Sequence, residues 1–401
     1  WDWEFGDGAI PSVATGVGPH DVIYTTTGSK TVKLVINGSN QANKPNYIDV
    51  TALSVGGTIS GYNTTICAGG STGNMQLSGN TGNVEKWQKR QNGGSWTDIE
   101  NTTDTHSENL ASSGIWQFRA VVKNGTCDPV YSDEASLEVY QLPAGLTSTR
   151  PEVCSGTGFT VNLQEFISNG VQCSFSWTGN FPAGLNDGSL NGSGNINETL
   201  SNLTGGVLNA VYTVTPTSLT GSCEGDDFTI TVPVRPQPVG TNSTLTAICS
   251  GNAFNINPQN NITNGVSGTF TWSASYPAEL TGGDASGSGN INQILTNLTE
   301  TSLSAIYTIT PFSLSGSCPG AVFTMTVPVR PQPQGSNTTE SAVCSGNSFD
   351  FNPQNYITNN LASSFTWTAA YPANLTGGTG NGTDNVSETL RNISSNQLNA
   401  V

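Results

Sequence analysis

Histidine, methionine and charge are all scarce in this 401-residue chain: two His, two Met and only 10% Asp, Glu, Lys and Arg. His20 and His106 stand 86 residues apart. A Ser-His-Asp or metal-hydrolase site needs more convergent side chains than that. Basic residues number 12 against 28 acidic ones, giving a formal charge of −16, and no Lys/Arg cluster occurs. Nucleic acid is therefore excluded as a partner, because phosphate binding needs such clusters. No run reaches the roughly 18 apolar residues of a membrane span. The first residues, from Trp1, carry no basic region followed by an apolar one, so a secretory leader is not visible and an internal piece of something longer is expected. Absent too is any Cys-x-x-Cys pair. Eight widely spaced cysteines read instead as structural disulfides of an exported protein.

What is abundant is Gly, Ser, Thr and Asn, with aromatic and β-branched residues distributed evenly enough to supply several small cores. At this length three or four modules of about 100 residues are expected. The spacing bears this out within the sequence. Cys154, Cys249 and Cys344 lie 95 residues apart, as do Trp177, Trp272 and Trp367. CSGTGF at 154 returns as CSGNAF and CSGNSF; NINETLSNLT at 195 returns as NINQILTNLT and NVSETLRNIS; FTITVPVRPQP at 228 returns as FTMTVPVRPQP. A gap-free period of this kind marks an array whose units each form one fold.

Within a unit the apolar pattern has period two. Phe270 and Trp272 alternate with Thr269, Thr271 and Ser273, and Phe323, Met325, Val327 and Val329 alternate with Thr324, Thr326 and Pro328. These are half-buried strands separated by Gly/Asn-rich turns, which predicts antiparallel sandwiches. Only NINQILTNL has room for a helical turn or two. Pro233 and Pro328 lie in the last strand, where a missing N–H fits an edge or a bulge. At the unit borders VRPQPVG and VRPQPQG carry two prolines one residue apart, which favours a stiff extended joint and a filament advancing about 35–45 Å per unit. The fold class expected is all-β: tandem sandwich modules forming an elongated rod, divided as 1–53, 54–140, 141–235, 236–330 and 331–401. The last unit is expected to be incomplete and the array to continue past Val401.

The two periodic cysteines of each unit are 69 residues apart, so Cys154 is expected to pair with Cys223 and Cys249 with Cys318. Each bridge would contribute about 4 kcal/mol on the chain-entropy account. Cys344 would find its partner at position 413, and Cys173, whose counterparts are Gly268 and Ser363, is expected to be a buried free thiol.

The opening WDWEFGDG, with His20, Tyr24 and TVKLVI, resembles the PKD domain, an immunoglobulin-like sandwich. Gly6-Asp7-Gly8 reads as its tight turn, with Asp7 able to cap it. Asp2, Glu4 and Asp7 are weak candidates for a calcium site there. Residues 54–140 carry Cys67, Trp87 and Cys127 in an order that resembles the Cys…Trp…Cys of immunoglobulin-like domains, which implies a Cys67–Cys127 bridge with Trp87 packed on it. WQKRQNGGSWTDI reads as a hairpin turning at Asn92-Gly93-Gly94, and Trp96 near its tip is a candidate ligand-facing aromatic.

The 95-residue units resemble the PKD-like repeats of very long surface proteins of Bacteroidota, through CSG-x-x-F, FTWSA or FTWTA, and YTxTP ahead of G-x-C. That resemblance implies a non-catalytic stalk or adhesive segment of a large secreted cell-surface adhesin, serving surface attachment or gliding motility, with export by type IX secretion. Partners would be extracellular surfaces or polysaccharides, and the motility or secretion machinery through other parts of the protein. The alternative is an accessory carbohydrate-binding array on a secreted polysaccharide-degrading enzyme. Paired carboxylates could in principle serve glycoside hydrolysis. Yet Glu198 and Glu388 correspond to Gln293, and Asp226-Asp227 to Ala321-Val322, so no carboxylate pair persists and the chain is expected not to be an enzyme. No cofactor is implied beyond calcium; Gly382-Thr383-Asp384-Asn385 is too sparse for a calcium loop. Asn202, Asn297 and Asn374 head Asn-x-Thr sequons of the kind this composition produces by chance.

Overall fold

The computed structural model describes residues 1–401, and four separate apolar clusters run along it, one in each of the first four modules. The architecture is all-β: tandem β-sandwich modules.

In the unit that holds Cys154, the main sheet runs Ser148–Thr149, Phe228–Arg235, Leu208–Ser218, Cys173–Asn180, Asn191–Ser193. Facing it are two short ribbons, Gly158–Val161 with Ile196–Thr199 and Leu185–Asn186 with Ser201–Asn202. The next unit repeats this with every pairing shifted by 95. Phe228–Arg235 alternates buried and half-buried along its whole length, as its period-two sequence requires. Trp177 and Trp272 lie edge-on to Tyr212 and Tyr307 in the two cores. Each indole also covers a glycine, Gly192 or Gly287, where an added Cβ would fall 2.2–2.3 Å from the ring.

Two local expectations are corrected. NINQILTNLT is extended, Ile291–Ile294 and Thr296–Asn297, because Ile291 and Leu295 are needed inside the sandwich. The helical pieces are instead single 3₁₀ turns at Leu163–Phe166, Pro258–Asn261 and Pro353–Tyr356. Pro233 sits in an interior strand rather than at an edge. The strand beside it is broken into Ser148–Thr149 and Val153–Cys154, pairing before and after Pro233. Carbonyls of Thr231 and Arg235 accept from Arg150 and Ser155 on that side, so the missing N–H of Pro233 falls in the break.

Residues 54–140 form a second kind of sandwich, with the sheet Thr97–Ile99, Asn83–Gln91, Gly114–Lys123, Ala135–Tyr140, Thr65–Cys67 against Thr105–His106, Gly73–Ser78, Thr58–Tyr62. The hairpin turns at Asn92 and Gly93, both at positive φ. Residues 1–53 form a four-stranded sheet over a small core of Phe5, Ala9 and Val32. Residues 348–392 pair only as two-stranded ribbons, and the strand Thr366–Thr368 has one neighbour where Gly268–Ser275 has two.

The disulfides depart from the expected pairing. Cys67 is bonded to Cys223 and Cys154 to Cys318, while Cys127, Cys173, Cys249 and Cys344 are free. Cys127 therefore does not pair with Cys67, nor Cys249 with Cys318. The parallel pairing of first and last strands explains this. It places Cys154 beside Arg235 at one end of the last strand, whereas Cys223 lies in the hairpin that enters the other end at Phe228. Eight residues of strand separate those ends by about 23 Å, and a disulfide needs Cα atoms within about 7 Å. Both observed bridges meet that limit, at 5.6 and 5.4 Å. Trp87 accordingly packs on no disulfide; its fully buried ring lies against His106, and its Nε1 donates to the Thr103 carbonyl.

Candidate functional site at the module joints

The side chains that converge from different modules do so at the joints. The loop Leu219–Cys223, closing the hairpin between the two long strands, is held by Ser218 Oγ accepting from the Cys223 N–H and by the Ser218 N–H donating to the Cys223 carbonyl. Its tip enters the preceding module. A Cβ on Gly221 would fall 2.1 Å from the Tyr140 ring, and φ there is +80°, so only glycine fits both the contact and the backbone. Tyr140 is the strand neighbour of Cys67, which brings the two sulfurs together.

The next joint repeats this chemistry with different residues. Arg235 takes the place of Tyr140, over Gly316 (φ +82°). Its guanidinium donates to Ser315 Oγ across the joint at 2.8 Å and pairs with Glu152 within its own unit. Cys318 is fully buried.

A second contact fixes the angle. Asn264 donates Nδ2 to the carbonyls of Leu203 and Thr204 in the preceding unit and of Gln237 in the linker, while its Oδ1 accepts from Val239. Asn359 makes the matching bonds to Thr299 and Gln332 and accepts from Gln334. Asn169 holds Leu142 and Ala144 in the same way. These three asparagines were not singled out from the sequence, yet their 95-residue period was visible there.

Apart from the four bridged cysteines, the residues named from sequence fall elsewhere. Trp96 is half-buried and stacked by Arg119 and Arg90, at 4.1 and 4.5 Å from its ring. Arg119 also lies 3.6 Å from the Tyr131 ring, so the indole belongs to a cation–π ladder on its own sheet. Asp2, Glu4 and Asp7 do not converge: Glu4 faces Lys33 at 3.6 Å and Asp7 accepts from Thr26 Oγ1. No group of three or more His, Cys, Asp or Glu is placed to hold a metal. His20 lies edge-on to Trp3 and Phe5.

The carboxylate positions have one shared role. Glu198, Gln293 and Glu388 each accept from the N–H nine residues earlier, of Ser189, Asp284 and Thr379. Only an acceptor oxygen is needed, which is why Gln serves at 293. Asn202 and Asn297 are wholly buried, their Nδ2 groups donating to Val234 and Val329 carbonyls, so the sequons at these positions are structural turns. Cys173 is half-buried, with burial raising its thiol pKa.

Residues 151–238, 246–333 and 341–401 match the PKD-like domain family. The chain belongs to that family. Residues 55–141, ahead of the PKD-like units, match a domain of unknown function, DUF8696. No curated protein matches the chain. Among solved structures it is similar to the FN1–FN3 domains of chicken CNTN1, at 13% identity, covering 70% of this chain and 99% of that one, with a TM-score of 0.24. Fibronectin(III)-like modules of Clostridium thermocellum CbhA match at 14% identity over 45% and 94% of the two chains, TM-score 0.20. The insect immune protein hemolin matches at 11% identity over 85% and 100%, TM-score 0.23. The recognised PKD-like units are non-catalytic modules, and their disulfides place them in an extracellular setting. No helix is long and apolar enough to cross a membrane.

Proposed function

We propose that this PKD-like array is a non-catalytic stalk or adhesive segment of a large secreted cell-surface adhesin, serving surface attachment or gliding motility. One observation carries the reading. The two disulfide loops, 67–223 and 154–318, overlap, so every peptide bond between Cys67 and Cys318 is bypassed by a disulfide. A stalk exposed to shear and to proteases gains from such a covalent bypass; a loose tether for an enzyme does not need one.

The overlap also limits extension. From Cys67 the shortest covalent path crosses to Cys223, returns through 69 residues to Cys154 and crosses to Cys318. Fully drawn out at about 3.5 Å per residue, that path is about 240 Å, against about 880 Å for the 251 residues of open backbone.

Pulling single molecules from both ends tests the stalk: extension between Cys67 and Cys318 stays near the shorter limit until a reductant is added. Release of the full backbone without reductant counts against it. Adhesion itself is tested with beads coated with the chain, held on glass or polysaccharide gels under flow. Binding to one soluble polysaccharide, with no retention on surfaces, would favour an accessory carbohydrate-binding array instead.

A further inference from the structure

At two successive joints the same pair of strand neighbours receives a closing hairpin from the next unit: Cys67 with Tyr140, and Cys154 with Arg235. The third such pair is Cys249 with Arg330. Both are exposed, Cys249 is a free thiol, and Ala247 stands where Glu152 pairs with Arg235, so Arg330 has no acidic partner.

We infer that Cys249 and Arg330 form a half-joint that takes the Gly-Ser-Cys closing hairpin of the following PKD-like unit, the one that begins around Cys344, and that Cys249 forms a disulfide with that hairpin's cysteine. An independent contact sets the position. Asn359 of the following unit donates to the Thr299 and Gln332 carbonyls, as Asn264 donates to those of Thr204 and Gln237 one joint earlier. The following unit is therefore seated on the second as the second is seated on the first. A closing hairpin built on it arrives over Cys249 and Arg330. The occupant is thus one of stated chemistry: a glycine at positive φ to lie under the guanidinium, and a thiol two residues later. Joining two thiols releases two protons and two electrons, which the oxidising extracellular setting takes up through a disulfide-exchange partner or oxygen.

The test uses the chain's own sequence. Val401 is in register with Ile306, so residues 307–335 appended after Val401 supply a pair of long strands and a hairpin cysteine equivalent to Cys318. In the 401-residue chain Cys249 and Cys344 both react with a maleimide. In the extended chain Cys249 labelling falls at least tenfold, Cys344 labelling persists, and non-reducing peptide mapping joins the Cys249 peptide to the appended cysteine. A bridge from the appended cysteine to Cys344, or continued labelling of Cys249 in a chain whose Trp367 fluorescence reports a closed core, overturns the inference. A second measurement does not depend on the graft folding. In the 401-residue chain carrying Cys154→Ser, the thiol of Cys318 is freed; it remains unbonded to Cys249 if the half-joint faces the following unit. A Cys249–Cys318 bridge in that variant overturns it.

Discussion

Asn264 Nδ2 lies 3.1 Å from the carbonyl oxygen of Leu203, a residue of the preceding unit, and 2.8 Å from that of Gln237 in the linker. One side chain thus ties together two sandwiches and the segment between them. The diproline linker restricts its own dihedrals, but it is this amide that converts a stiff linker into a fixed angle.

Asn264→Ala should therefore loosen the joint without unfolding either unit. Three donor bonds and one acceptor bond are lost, several of them partly exposed, for a cost of about 1–3 kcal/mol. Small-angle scattering should show a broadened distribution of lengths, while Trp272 fluorescence and the Cys154–Cys318 bridge are unchanged. An unaltered scattering profile would place the stiffness in the prolines alone.

The connectivity is testable with one cut. A protease site inserted between Thr241 and Asn242 lies in the linker that the Cys154–Cys318 bridge spans. After cleavage the chain should run as one species without reductant and as two with it. Had each unit closed its own disulfide, the fragments would separate in both conditions.

Gly221→Ala should weaken the first joint by about 1–3 kcal/mol, since the new Cβ meets the Tyr140 ring and the backbone holds φ at +80°. Expected signs are a lower melting temperature and faster opening of the Cys67–Cys223 bridge by a limiting thiol reductant, read as maleimide labelling of the two freed thiols. Gly206→Ala, with open space at its Cβ, serves as the control.

Asn297→Ala removes a buried hub. Its side-chain amide donates to the carbonyls of Thr301 and Val329 and its Oδ1 accepts from Thr299, while its backbone N–H, which Ala keeps, donates to Ser250 Oγ. Losing the donors to Thr301 and Val329, the latter carbonyl keeping only Ser302 Oγ at 3.3 Å, should cost about 1–3 kcal/mol. Chemical denaturation would show this as a lower midpoint for that unit. A change below about 0.5 kcal/mol would contradict the assignment.

Acid should destabilise residues 54–140 through Glu108. Burial alone would raise the carboxyl pKa, but hydrogen bonds from His106 and Lys89 and the Lys89 charge outweigh it and hold it below the usual 4.5. A carboxylate depressed in the folded state contributes stability above its unfolded value, and that contribution is lost as pH falls below about 4.5 through the folded value. Glu108→Gln should cost about 0.5–1 kcal/mol at neutral pH, given its partial exposure. The difference from the parent should close on acidification; one that is constant with pH would assign Glu108 a packing role.

By itself the sequence determined the kind of module: a 95-residue register and period-two alternation leave few folds other than repeated sandwiches, because strand faces must alternate between core and water. The partner of each cysteine was decided only in three dimensions. Spacing along the chain gives Cys154 equal title to Cys223 and to Cys318, and the nearer one is the natural expectation. Parallel pairing of the first and last strands then puts Cys154 and Cys223 at opposite ends of the same unit, too far apart to bond. Stacking the units end to end brings the top of one against the hairpin of the next, so the bridges cross the joints.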